Sequence, residues 1–188
     1  MGKRQNEEYM RSLTISLSPA KLSSFAERVV AKLNPSFQLS SDVHYAFQHR
    51  NNKISVKVSR AFFSKKKDIS NYLDYLSDSL DSRLYSLKGK QKDLLTGNFL
   101  CNIQQIREKF TDVLWYGVFF EEGLYLFKSP IKKLKIASKH INFMNYQHIG
   151  SKDEGQFHIT SKNFSYHIEK NLTKVLTYDE LYSLAEAM

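Results

Sequence analysis

The sequence predicts a mixed α/β (α+β) domain with a central mixed sheet flanked by helices, and three patterns along the chain support this fold class. Apolar and polar residues alternate over 54–60, which is the two-residue period of a half-buried strand. Apolar residues recur at helical spacing over 22–33 and again over 69–87. Two apolar runs, 113–120 and 124–127, flank a short polar turn and predict a buried hairpin. Strands and helices that interleave in this way favour a mixed architecture.

Composition and charge indicate one globular domain that binds a polyanion. A chain of 188 residues is long enough to bury a core, and we expect a single domain over 1–188. The formal net charge of +9 favours a polyanionic partner, most often nucleic acid. The single cysteine, Cys101, excludes a disulfide framework and a cysteine-based zinc site. A polar start and no apolar run of membrane length lead us to expect a cytoplasmic protein with no membrane partner.

The first third of the chain predicts a short strand, a helix and a hairpin. The strand is expected at 13–17. Ser18 suits the N-cap of the following helix and Pro19 its first position, and an Asn-Pro pair at 34–35 ends it. Residues 41–60 then predict two alternating strands joined by a polar turn.

The rest of the chain predicts further helices around the buried hairpin. A helix is expected to begin near Asp68, and a second one to span about 99–110. A strand is expected at 156–160, and Thr177 with Glu180 forms a capping box for a final helix. The apolar stripe of the helix after Asp68 consists of Ile69, Leu73, Leu76, Leu80, Leu84 and Leu87.

The pairing register of the first hairpin decides whether Asp42 and Lys57 can meet. A two-residue turn at 51–52 would leave Asp42 four residues from the partner of Lys57, which is too far for a shared site. A loop at 49–52 would pair Lys57 with His44 and place Asp42 diagonally opposite, within about 7 Å. Both registers keep one face apolar, and only the second allows a common site.

Asp42, followed by Ser55-Val56-Lys57 inside an apolar strand between two helices, resembles the PD-(D/E)xK nuclease superfamily. Members usually carry Asp or Glu two residues before the lysine, where this chain has Ser55. A subgroup of type II restriction endonucleases has Ser there and supplies the missing carboxylate from the following helix, and this chain is similar to that subgroup. The resemblance covers 42–74 and departs from the family also at Ser41, where proline is usual. It implies a restriction-endonuclease-like sheet.

The resemblance also implies a Mg²⁺ site. Asp42 would bind the metal, Asp68 or Asp74 would complete the site, and Ser55 marks where an acid has been lost. Mg²⁺ takes oxygen ligands and needs only one or two protein carboxylates. Such an ion lowers the pKa of the attacking water and neutralises charge on the phosphorane. Lys57 would assist the water and stabilise the developing negative charge.

Simpler roles stay open for the same residues. Asp68 suits a helix N-cap, Asp74 suits a solvated helix face, and Lys57 suits a half-exposed sheet position with its aliphatic stem packed. Asp42 suits a turn at the start of a strand. Glu27 lies off the apolar stripe of its helix and is included as a neighbour of the site, since some members of the superfamily have a helical glutamate there.

Basic residues interleaved with aromatic ones predict contacts to phosphates, and a polar segment over 142–163 predicts contacts to base edges. Asn and Gln in particular pair with adenine. Ordinary solubility and a polar surface loop are the alternatives for any one of these residues. The predicted nucleic-acid contacts are Arg60, Lys65, Lys66, Lys67, Lys132, Lys133, Asn145, Gln147 and His158.

These features predict a Mg²⁺-dependent endonuclease that hydrolyses phosphodiester bonds in double-stranded DNA. A type II restriction endonuclease acting as a homodimer on palindromic sites is the most specific version. The alternative from another class is a non-catalytic nucleic-acid-binding protein, such as a plasmid or phage regulator, in which the missing acid means no chemistry. A nuclease directed at RNA is a third possibility.

Overall fold

A six-stranded mixed sheet flanked by helices dominates the computed structural model, which describes residues 2–63, 84–87, 99–145 and 153–188. The helices are α1 (Lys3–Ser16), α2 (Pro19–Leu33), α3 (Ile131–Ile136), α4 (Ser138–Ile141), α5 (Phe164–Asn171) and α6 (Tyr178–Glu186). The strands are β1 (Gln38–Leu39), β2 (Phe47–His49), β3 (Asn52–Arg60), β4 (Phe62–Phe63), β5 (Phe99–Ile106), β6 (Val113–Phe120), β7 (Gly123–Pro130), β8 (Gly155–Thr160) and β9 (Leu172–Thr177).

The large sheet has the strand order β1-β2-β3-β6-β7-β9. Strands β3 and β6 run parallel, and every other neighbouring pair in this sheet is antiparallel. A second sheet of three antiparallel strands has the order β4-β5-β8. The predicted fold class, a mixed α+β domain with a central mixed sheet flanked by helices, is confirmed.

The two faces of the large sheet bury two separate apolar clusters. On one face, Ile54 and Val56 of β3 pack with residues of α1, α2 and α6. On the other face, Leu114 and Tyr116 of β6 pack with β5, β8 and the helices α3 to α5. Because β3 is covered on both faces over part of its length, a polar side chain there lies close to buried surroundings.

Several local predictions are confirmed. The Ser18 side chain accepts a hydrogen bond from the backbone N–H of Lys21 and so caps α2. Thr177 and Glu180 form the predicted capping box of α6. The hairpin of β6 and β7 turns at 121–122, and Gly123 has a φ of 148°, where an added Cβ would lie 2.1 Å from the Leu176 carbonyl oxygen.

The local predictions for 13–17 and 99–110 are wrong. The segment 13–17 is not a strand, because α1 continues to Ser16 and buries Met10 and Thr14 against the neighbouring helices. The segment 99–110 is not a helix: Phe99, Cys101 and Ile103 are buried at every second position, and the segment forms β5 followed by a 3₁₀ turn at Glu108–Phe110. Both runs contain apolar spacings that fit either period, and tertiary packing decides between them.

Other predictions fall partly outside the described residues. Leu84 forms an isolated β-bridge with Phe62, so the predicted helical stripe does not extend to this position as helix. The remainder of that stripe before Leu84, over 69–83, lies outside the described residues. The helix α5 and the strand β9 have no counterpart in the sequence prediction. No helix in the described ranges is both long and apolar enough to cross a membrane.

Candidate functional site

A cleft opens near the edge of the large sheet because β3 extends beyond the end of its neighbour β2. The last register pair between the two strands is Phe47 with Ile54, whereas β3 continues to Arg60. The Ala46 N–H still donates to the Ile54 carbonyl at 2.9 Å, but the chain before it, over 41–44, forms a turn instead of extending the ladder. The cleft left between them has a volume of about 300 Å³. Its lining residues are Glu27, Leu39, Ser40, Asp42, Val43, His44, Tyr45, Ala46, Ser55, Val56 and Lys57.

The register of the hairpin is the one that a shared site requires. Gln48 pairs with Lys53, which extrapolates to Lys57 opposite His44. The loop is tighter than predicted, since the turn consists of 50–51 and Arg50 adopts a φ of 52°. The expectation that residues from 41 onward form the first strand is wrong, because β2 begins only at Phe47.

Asp42 is fixed by a local turn at the rim of the cleft. Its carboxylate Oδ1 accepts a 2.9 Å hydrogen bond from the backbone N–H of His44, the arrangement of an Asx turn. Its own N–H donates to the Ser40 hydroxyl at 2.9 Å. This local bonding bends the chain away from β3 and explains why the ladder stops. In the described part of the chain, Oδ2 has no hydrogen-bond partner, and Asp42 lines the cleft.

Lys57 enters the cleft from the middle of β3 and is half-buried. Burial lowers the pKa of Lys57; Glu27 opposes this shift, Arg107 adds to it by repulsion, and Glu154 opposes it. No salt bridge within the described ranges includes Lys57, so its ammonium is not neutralised by a direct partner there. A lysine in a cleft whose charged form is disfavoured is typical of a functional site.

Glu27 reaches the same cleft from α2, where it lies off the buried stripe of that helix. Burial raises the pKa of Glu27, and the positive charge of Lys57 works in the opposite direction. The sequence suggested Glu27 only as a neighbour of the site. The structure places it among the lining residues with Asp42 and Lys57, so the cleft holds two carboxylates and one lysine.

Ser55 lies where the superfamily pattern has an acid. Its side chain is almost completely buried, and its hydroxyl shares a 2.7 Å hydrogen bond with the Thr111 hydroxyl. This bond ties β3 to the segment that leads into β6. The Ser55 hydroxyl is therefore held in place at the lining of the cleft.

A group of residues beside the cleft was missed by the sequence analysis. Arg107 donates from Nη1 to Nδ1 of His44 at 2.8 Å and forms a salt bridge with Glu154 at 3.2 Å. The His44 ring also stacks on Phe110, with ring centroids 4.1 Å apart and an interplanar angle of 19°. Arg107 and Phe110 follow β5. Because the sequence predicted a helix over 99–110, it did not indicate that these two residues lie close to the hairpin.

Arg60, a predicted phosphate contact, donates hydrogen bonds to two backbone carbonyls at the end of α1. Its Nε donates to the Thr14 carbonyl at 2.8 Å, and its Nη2 donates to the Leu17 carbonyl. Burial lowers the pKa of Arg60, with the opposing influence of Tyr178. Because these donors serve the carboxyl end of α1, we leave Arg60 out of the proposed nucleic-acid contacts.

The other predicted nucleic-acid contacts lie away from the lining of the cleft or outside the described residues. Lys132 and Lys133 are exposed on α3, Asn145 is exposed after α4, and His158 is half-buried on β8 opposite Asn102. The predicted residues outside the described ranges are Lys65, Lys66, Lys67, Asp68, Asp74 and Gln147.

The donor set of the cleft limits what it can hold. Within the described ranges, no group of three or more His, Cys, Asp or Glu side chains is placed to hold a metal ion. The two carboxylates of the cleft offer hard oxygen donors, which suit Mg²⁺ and do not suit a soft metal. Comparison of the chain with protein-family models, with curated proteins and with solved structures gave no match.

Proposed function

We propose that the protein is a Mg²⁺-dependent endonuclease that hydrolyses phosphodiester bonds in double-stranded DNA. The main support for this proposal is that Asp42, Glu27 and Lys57 line one cleft near the edge of the sheet. Two carboxylates with a lysine of lowered pKa form a chemically coherent set for phosphodiester hydrolysis.

Asp42 and Glu27 are the residues that would hold the ion. Mg²⁺ keeps several of its water ligands and is usually held by one or two carboxylates together with phosphate oxygens. Asp42 retains Oδ2 for this purpose, since Oδ1 is used by the turn. The two aspartates from the following segment, Asp68 and Asp74, stay candidates for a further ligand. When bound, Mg²⁺ supplies Lewis-acid activation of water and charge neutralisation at phosphate.

Lys57 would act on the attacking water. Burial and the repulsion from Arg107 favour its neutral form, which can accept a proton. A neutral amine beside the phosphate would orient the water through a hydrogen bond and take its proton as the new P–O bond forms. The P–O bond to one sugar oxygen breaks, and the leaving oxygen takes a proton from solvent water. Glu27 keeps a negative charge near this amine, and it would help to hold the resulting ammonium ion in place.

The basic surface would position the nucleic acid. The net charge of +9 favours a polyanion, and Lys132 and Lys133 expose their ammonium groups on α3. We keep both as proposed phosphate contacts, with Asn145 and His158 as proposed base contacts. A homodimer that cuts both strands of a palindromic site is the most specific form of this proposal.

A substitution series tests the proposal. Asp42→Asn preserves an oxygen that can accept from the His44 N–H while it removes the charge, and Glu27→Gln removes the other charge. The matched control is Asp112→Asn, since the exposed Asp112 also accepts a backbone N–H, that of Lys53 at 2.9 Å, and does not line the cleft. We expect both cleft variants to lose at least about a hundredfold in cleavage rate and to require more Mg²⁺. Full cleavage by Asp42→Asn would contradict the proposal.

A non-catalytic nucleic-acid-binding protein is the second candidate. The observation in its favour is Ser55, whose hydroxyl is held by Thr111 and which offers no carboxylate two residues before Lys57. Such a protein would bind DNA equally well with Mg²⁺ or with a chelator and would leave it uncut. The dependence of cleavage on the metal therefore separates the two candidates.

A further inference from the structure

We propose that His44 is a further catalytic residue of the cleft, donating a hydrogen bond from Nε2–H to an oxygen of the scissile phosphate, with Arg107 as its positioning residue. This inference rests on the proposed phosphodiester hydrolysis. His44 lines the cleft together with Asp42 and Lys57, and its ring is held by contacts that the hydrolysis proposal alone does not explain.

The contact with Arg107 determines which ring nitrogen carries the proton. A guanidinium group has donors and no acceptor, so Nδ1 of His44 must accept the 2.8 Å hydrogen bond from Nη1 of Arg107. The neutral ring then carries its proton on Nε2. The Glu154 carboxylate fixes Arg107 from the other side at 3.2 Å, which makes the donor direction of Arg107 well defined.

The orientation of the ring is fixed as well as its tautomer. Phe110 stacks on the imidazole at a centroid distance of 4.1 Å. The backbone N–H of His44 donates to Asp42 Oδ1, so the ring and the proposed metal ligand belong to the same turn. A movement of one would displace the other.

Nε2 is left available for a ligand. In the described part of the chain it has no hydrogen-bond partner, and it is not among the buried polar atoms that lack one. Since Nδ1 is occupied, the donor of this cleft-lining ring is Nε2–H alone. An N–H donor on a ring that lines the cleft and is held by Arg107 and Phe110 suits the negative charge that grows on phosphate oxygens in the transition state. No proton is transferred in this role, because Nε2–H only donates a hydrogen bond to the phosphate oxygen.

The test compares single-turnover cleavage of a DNA duplex by wild-type protein, His44→Ala and His44→Gln. We expect His44→Ala to lower the rate by about a hundredfold with little change in DNA affinity, because the hydrogen bond strengthens in the transition state. Gln keeps an N–H donor and should recover part of the rate. The control is His49→Gln, since His49 lies on β2 with Nδ1 near the Ser36 carbonyl and does not line the cleft.

A second readout does not depend on activity. The ¹⁵N chemical shifts of His44 in the wild-type protein should show an unprotonated Nδ1 and a protonated Nε2. Arg107→Met should mix the two tautomers and lower the cleavage rate, whereas Arg107→Lys should restore part of both because it keeps a donor. Glu154→Gln should have a smaller effect in the same direction.

The outcomes separate this inference from the proposed function. Wild-type cleavage that persists unchanged in His44→Ala would overturn the role of His44 and leave the hydrolysis proposal standing. A wild-type protein that does not cleave would remove the hydrolysis proposal and this inference together. A protonated Nδ1 in the wild-type spectrum would overturn the role assigned to Arg107 whatever the activity.

Discussion

Glu27 on α2 and Lys57 on β3 line the same cleft, and the charge of each favours ionisation of the other against the effect of burial. Burial alone would raise the pKa of Glu27 and lower that of Lys57. Burial thus disfavours the charged form of both groups, and no salt bridge in the described ranges joins them. Such an arrangement lowers stability and is characteristic of a functional site.

The stability cost of Glu27 leads to the first prediction. An unfolded glutamate has a pKa of about 4.3, and the folded carboxyl of Glu27 has a raised one. Between these two values the folded state binds more protons, so stability falls as pH rises, and the full cost is present at neutral pH. Glu27→Gln should therefore raise the melting temperature at pH 7.5. The partly solvated position limits the gain to about 1 kcal/mol, or about 2–4 °C.

Calorimetry at pH 7.5 checks this prediction, with Glu169→Gln as the control. Glu169 is exposed on α5, and its replacement should leave the melting temperature nearly unchanged. A lower melting temperature for Glu27→Gln than for the wild-type protein would mean that the carboxylate stabilises the fold.

The second prediction concerns the pH dependence of cleavage. If Lys57 accepts the proton of the attacking water, cleavage must rise with pH through the pKa of Lys57, which lies below that of a free lysine. Lys57→Arg keeps a positive charge that does not dissociate in this range, so it should lower the rate by about 10²–10⁴-fold. Single-turnover rates between pH 6 and pH 10 measure both effects. Retained activity in Lys57→Arg would instead assign the residue a purely electrostatic role.

The third prediction separates a structural arginine from phosphate-binding lysines. Arg60→Met removes the donors to the Thr14 and Leu17 carbonyls at the end of α1 and should lower the free energy of unfolding by about 1–3 kcal/mol. Its effect on DNA affinity should be small.

The comparison variant for Arg60 is Lys132→Met on the exposed face of α3, with unfolding measured in urea and binding measured at several salt concentrations. This variant should leave stability unchanged and reduce the slope of log K against log salt by about 1. A reduced salt slope for Arg60→Met, without loss of stability, would reverse the assignment.

The fourth prediction follows from a buried histidine. His167 is fully buried, its Nδ1 bonds with the Tyr116 hydroxyl at 2.8 Å, and burial lowers the pKa of His167 to about 4. Below about pH 6.5 the unfolded chain binds a proton that the folded chain does not, so stability is lost as pH falls from about 6.5 to about 4. The loss is about 3 kcal/mol.

Urea denaturation between pH 4 and pH 8 measures this loss. His167→Gln should flatten the acid limb, although it should be less stable than the wild-type protein at pH 8 because a buried ring is lost. His140→Gln, at an exposed position on α4, should keep the wild-type slope. An unchanged acid limb in His167→Gln would assign the acid sensitivity to other groups.

Local sequence signals were sufficient to predict features that depend only on residues close together in the chain. The caps at Ser18 and Thr177 each depend on a side chain and a backbone group a few residues away, and both are present. The register of the first hairpin was left open by the sequence, because both registers keep one face apolar, and the observed turn at 50–51 fixes it. The predictions at 13–17 and 99–110 failed because their apolar residues fit two periods, and only distant packing partners select one of them.

The candidate site was predictable only in part, for the same reason. Asp42 and Lys57 lie within one hairpin segment, so whether they line the same cleft depends on the hairpin register. One of the two registers considered from the sequence brings them together. Glu27 comes from a preceding helix, and Arg107 from the end of a strand that was expected to be helical. Their contributions depend on how separate elements pack, which no spacing within one element reveals.

The most direct test of the central claim is incubation of purified protein with unmethylated phage DNA, with Mg²⁺ in one reaction and EDTA in a parallel one, followed by gel electrophoresis. The account predicts discrete fragments with Mg²⁺ and intact DNA with EDTA. DNA that is retarded in the gel and uncut in both reactions would contradict it and favour the non-catalytic binding protein.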